Sequence, residues 1–95
     1  MNASQLSALA EQEQRFRRRL GEHIRALRLE SGLNQDEFAH RAGLHRSHIG
    51  LVENGRRDPQ LTTLFRIAAA LGLTPTQLLD IPEESPGEDI PSAHN

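Results

Sequence analysis

The sequence predicts an all-α protein of five helices, and three observations lead there. Leu and Ala dominate the apolar residues, while β-branched residues are few and aromatics make up only 3% of the chain; a sheet would favour the reverse mixture. The apolar residues recur at steps of three and four, the period of a helix with one buried face. Gly, Asn and Thr-Pro fall between these stretches where helices stop and start. With 95 residues the chain has room for a single core.

Residues 1–14 are polar and small, carrying Leu6 and Leu9, and read as an N-terminal extension that is either helical or disordered. The first clear helical pattern is Phe16, Leu20, Ile24 and Leu27, ended by Ser31-Gly32 with Gly32 as a left-handed cap. Asn34 caps a second helix from Gln35 to about Ala42, and Glu37 at its third position completes a capping box. Gly43 ends it. A third helix runs from about Arg46 to Glu53 and closes at Asn54-Gly55, followed by a loop through Pro59. The fourth spans about Leu61 to Leu71, with Leu61, Leu64, Phe65, Ala68 and Leu71 expected inward. Thr74-Pro75 opens a short fifth helix, since Thr caps well and Pro suits the first helical position. It is expected to turn Leu78, Leu79 and Ile81 inward. Residues 15–81 therefore form the folded domain. Residues 82–95, rich in Pro, Ser and carboxylates, bury too little apolar surface to offset ordering and read as an acidic disordered tail.

The formal net charge is −2, but its distribution matters more. Between Arg15 and Arg66 lie all eleven Arg against six carboxylates, a net of +5, while residues 80–95 hold five carboxylates and no Lys or Arg. A basic body carries an acidic end. With no cysteine, the chain has no disulfide, thiolate metal site or cysteine nucleophile, and a reducing cytoplasm is the expected compartment. No stretch is apolar enough to span a bilayer or serve as a signal-peptide core. His45, His48 and nearby His40 lack a completing ligand, so neither a metal nor another cofactor is expected. Nothing matches a nucleophile elbow, and catalysis is not expected.

The informative stretch is 35–54, QDEFAHRAGLHRSHIGLVEN. Ala39 is small where two helices meeting near a right angle must approach closely, and Gly43 permits the sharp exit from the first of them. Ile49 and Val52 face the core. Arg46, Ser47, Gly50 and Leu51 are left on the outer face of a helix presented at a fixed angle, a geometry that fits a DNA major groove.

With these residues the sequence resembles the phage-repressor and Cro helix-turn-helix family, also called the xenobiotic-response-element family. The resemblance covers roughly residues 18–80 and rests on IRALRLESGLNQDEFAHRAG, IGLVENGRRDP and a Leu- and Ala-rich helix ending ALGL, in that order and spacing. It implies a five-helix, lambda-repressor-like domain with the helix-turn-helix at helices two and three. The implied function is sequence-specific binding of double-stranded DNA, regulating transcription by repression as a homodimer on a palindromic operator. It further implies a partly buried ion pair between Arg28 and Glu53. Gln35 is expected at a backbone phosphate, Arg46 on a guanine, and Ser47 and Leu51 at base edges. His45 and His48 are expected at base or phosphate, and Asn54, Arg56 and Arg57 beside phosphates. The implied dimer interface is the fifth helix and its flanks: Leu73, Pro75, Leu78, Leu79 and Ile81. Two features depart from the family. His45 stands where a small hydroxyl residue usually caps the third helix, and Gly50 weakens that helix from within. The rival reading is a protein-interaction adaptor built on the same helices, for which Gln35 and Arg46 would be dispensable and an unidentified protein would be the partner.

Overall fold

The computed structural model describes residues 1–83, so the expected acidic tail from residue 84 onward lies outside the described residues. Five helices follow in order: α1 (Ala3–Glu30), α2 (Gln35–Ala42), α3 (Arg46–Glu53), α4 (Leu61–Ala70) and α5 (Pro75–Leu78). The described residues contain no strand.

The first helix is longer than the apolar pattern indicates. Asn2 caps it, accepting from the Gln5 backbone N–H, while the Gln5 side chain accepts from the Asn2 N–H at 2.9 Å. From there 28 residues run without a break, so the N-terminal extension is the beginning of α1. Residues 3–16 of this helix are exposed throughout. Phe16, expected inward, is exposed as well, because the packed part of α1 begins at Leu20 and continues through Gly21, Ile24 and Arg28.

Reciprocal caps also start α2 (Asn34 with Glu37) and α5 (Thr74 with Gln77). Gly43 closes α2 in the left-handed region at φ +68°, where a side chain would be strained. The chain reverses there, and α3 packs against both α2 and α1. Leu20, Ile24, Leu33, Phe38, Ala39, Ile49, Val52, Ile67, Ala68 and Leu78 form one core drawn from every helix. Ala39 is buried in it, as the helix-crossing argument requires.

α4 presents only part of its expected face to the core: Ala68 is buried, and Leu64 and Leu71 pack against the core, as expected. It buries Thr63, Ile67 and Ala68, while Leu61 and Phe65 are 78% and 61% exposed. The helix is apolar on more than one side, so periodicity alone does not say which side meets α2 and α5. α5 differs in a related way. Leu78 is fully buried and Ile81 half-buried against the core, but Leu79 points to solvent. The chain then passes back along α1, where Arg19 Nη2 donates to the Pro82 carbonyl at 2.9 Å.

Candidate nucleic-acid interface

What positions α3 is a buried ionic network. Arg28 of α1 reaches Glu53 with two parallel hydrogen bonds, Nε to Oε2 at 2.7 Å and Nη2 to Oε1 at 3.0 Å. Its remaining arm donates to the Leu33 carbonyl at 2.9 Å, which ties in the turn before α2. Gln35 Nε2 also donates to Glu53 Oε1, at 3.1 Å. Both charged side chains are withdrawn from solvent, and the hydrogen bonds to Glu53 hold the Arg28 pKa above its ordinary value against the effect of burial. Arg28 and Glu53 together thus bind α1, the α1–α2 turn, the start of α2 and the end of α3 into one unit.

A second constraint is steric. A Cβ on Gly21 would lie 2.5 Å from the carbonyl oxygens of both Val52 and Glu53, so α1 and α3 are in backbone contact at this point. Glycine is required there by close approach rather than by an unusual φ.

With its inner face committed through Ile49, Val52 and Glu53, α3 turns Arg46, Ser47 and Leu51 outward, and all three are exposed. Asn54, at the C-cap, and Arg56 and Arg57 beyond it extend this exposed strip. Arg46 Nε lies 3.5 Å from Asp36 Oδ1, with both side chains largely in solvent, a pairing too weak to hold the guanidinium away from a stronger partner. His45 occupies the N-cap and makes no side-chain capping bond, which leaves its imidazole unengaged by the helix end. His48 is half-buried. Burial, followed by the positive fields of Arg57 and His45, holds its pKa below the ordinary imidazole value.

The structure therefore brings together Arg46, Ser47, Leu51, Asn54 and the His45–His48 pair on one side of the molecule. Gln35 is half-buried, and its side-chain amide donates to Glu53 Oε1. Leu78 is removed from the expected dimer surface, since it is 0% exposed within its own subunit. Leu73, Pro75 and Ile81 are half-buried, and Leu79 is open. Leu61 and Phe65, expected inward, are exposed one turn apart on α4, as Phe16 and Leu79 are elsewhere. The i, i+4 spacing of Leu61 and Phe65 predicts a shared helix face but does not say whether that face is core or surface.

Among the described residues no group of three or more His, Asp or Glu could hold a metal ion, and no helix is long and apolar enough to cross a membrane.

Comparison with known proteins agrees with the all-helical fold. The helix-turn-helix family model HTH_3 matches residues 24–78. An uncharacterized HTH-type transcriptional regulator of Sinorhizobium fredii is 36% identical over 71 residues, covering 75% of this chain and 92% of the relative. The control protein C.BamHI of Bacillus amyloliquefaciens is 38% identical over 61 residues, covering 63% of this chain and 75% of the relative. Among solved structures, the restriction-modification controller protein C.AhdI of Aeromonas hydrophila superposes with a TM-score of 0.63 at 38% identity, over 64% of this chain and 92% of that one. The hypothetical transcription factor NHTF from Neisseria does so with a TM-score of 0.67 at 37% identity, over 74% and 80%. The chain belongs to the helix-turn-helix HTH_3 family of transcriptional regulators.

Proposed function

We propose that this regulator binds double-stranded DNA sequence-specifically through α3 and represses transcription as a homodimer on a palindromic operator. The observation that carries the reading is the division of labour on α3. Ile49, Val52 and Glu53 are consumed by the core and the buried network, while Arg46, Ser47 and Leu51 stand exposed on a helix that cannot rotate. A rigid helix with an Arg in its first turn suits bidentate contact with a guanine, and Leu51 suits a thymine methyl. Arg56 and Arg57 lie just past the helix, where phosphates flank a groove.

One short helix covers few base pairs, so tight binding calls for two copies, with half-sites about 34 Å apart. The open Leu79 and the half-buried Leu73, Pro75 and Ile81 form the proposed contact between subunits, joined by exposed Leu61 and Phe65 on the adjoining α4. The similarity to control proteins supports a regulatory role for so small a chain.

The test is a titration of wild type and Arg46→Ala against a binding site and an unrelated duplex over a range of salt. Arg46→Ala is expected to lose about 1–3 kcal/mol on the site and much less on the unrelated duplex. Affinity on both falls steeply as salt rises, because neutralised phosphates release counterions. Equal losses on both duplexes, or affinity indifferent to salt, would contradict base reading by α3.

A further inference from the structure

Gly50 is the one described glycine with no internal reason to be glycine. Gly32, Gly43, Gly55 and Gly72 adopt positive φ, and Gly21 lies against the main chain of α3. Gly50 lies inside α3 with no positive φ, and a Cβ placed on it meets no atom within 4 Å. Alanine would fit and would strengthen the helix. The protein's own packing therefore gives no account of this residue, and the space in front of it is left open.

The helix register sets which residues flank that space. Gly50 lies four residues from both Arg46 and Asn54 and three from Ser47, so these exposed side chains rise on either side of it along the helix. Its carbonyl accepts from the Asn54 N–H at 3.0 Å, so the floor of the notch is bare Cα surface with its carbonyl already engaged. The walls are polar and the floor is apolar. Among the base edges of the major groove, the group that projects without hydrogen-bonding capacity is the C5-methyl of thymine.

We propose that Gly50 is a specificity-determining position, at which the bare backbone of α3 admits a thymine methyl into the notch between Arg46, Ser47 and Asn54. This rests on the reading of α3 as a major-groove helix. It goes beyond that reading by naming an absent side chain as a base-reading element and by naming the base it reads.

The experiment moves the methyl from DNA to protein. Wild type and Gly50→Ala are titrated with a duplex selected by the wild type from a randomised pool, then with copies in which each thymine in turn is replaced by deoxyuracil, which lacks only the methyl. Gly50→Ala is expected to melt about 4–8 °C higher than wild type. It is expected to bind the selected duplex about 5- to 100-fold more weakly. At one thymine, deoxyuracil weakens wild type about 4-fold and restores binding by the Ala variant. Equal affinity of the two proteins for the selected duplex would overturn the proposal. So would a loss that no deoxyuracil relieves, or the same loss on unrelated DNA, either of which places the phosphate backbone rather than a base at the notch. A lower melting temperature for Gly50→Ala would overturn its premise. If the wild type selects no sequence, the base-reading role of α3 fails as well, and that result appears before any variant is compared.

Discussion

Glu53→Ala is expected to lower the free energy of unfolding by about 3–5 kcal/mol, read as a fall in the urea midpoint. The change removes the one carboxylate that answers Arg28, whose guanidinium is buried with it. It also strips Gln35 of its acceptor and leaves Arg28 with only the Leu33 carbonyl. An uncompensated buried charge is costly in a way that a missing surface pair is not. Against a total stability of about 5–15 kcal/mol for a domain of ordinary size, the variant is expected to sit near the edge of unfolding. Replacing both Arg28 and Glu53 by Met removes the charges together, and it is expected to recover most of the loss. A Glu53→Ala cost below about 1 kcal/mol would mean that the pair behaves as a solvated one and does not brace α3.

The second large effect is expected at Gly21. Glycine inside a helix is ordinarily improved by alanine, by about 1 kcal/mol. Here the sign reverses. The new methyl would meet two main-chain oxygens of α3 at 2.5 Å, and main chain cannot swing aside as a flexible side chain does. Gly21→Ala is expected to destabilise by about 1–3 kcal/mol, towards the upper end because both obstructing atoms belong to the backbone. Thermal or urea denaturation decides it, and a stabilised variant would show that α1 and α3 separate at little cost. Gly21 and Gly50 make a useful pair, since the same substitution is expected to have opposite effects on stability at two helical glycines. One glycine is enclosed by the protein and the other faces open space.

Most of this architecture was legible in the residues because local and tertiary demands agree. Asn34 with Glu37, Gly43, and Thr74-Pro75 mark their helix ends by chemistry that does not depend on the rest of the fold, and the structure follows them. The Arg28–Glu53 pair came only through family resemblance, as two charges 25 positions apart carry no local signal that they meet. Asn2 with Gln5 forms a capping box that marks the start of α1, but without an apolar run behind it the sequence alone does not decide between helix and disorder there. The facing of α4 was legible only in part, since Leu64, Ala68 and Leu71 meet the core as expected while Leu61 and Phe65 do not. Leu61 with Phe65 and Thr63 with Ile67 are both spaced for a helix face, and the packing of α2 and α5 selects the second. For the same reason Leu78 and Leu79 look alike in sequence, while a four-residue helix buries one and exposes its neighbour. The hydrogen bond from Gln35 to Glu53 is a further tertiary contact that carries no local signal in the sequence.

The central claim is that α3 reads bases from two symmetry-related copies, and selection of bound duplexes from a randomised pool tests it most directly. The predicted result is enrichment of a palindrome whose half-sites lie about 34 Å apart, centre to centre, with preference relaxed at one position in each half-site when Arg46→Ala replaces the wild type. Recovery of no sequence, or of a sequence whose enrichment is unchanged by Arg46→Ala, would contradict it.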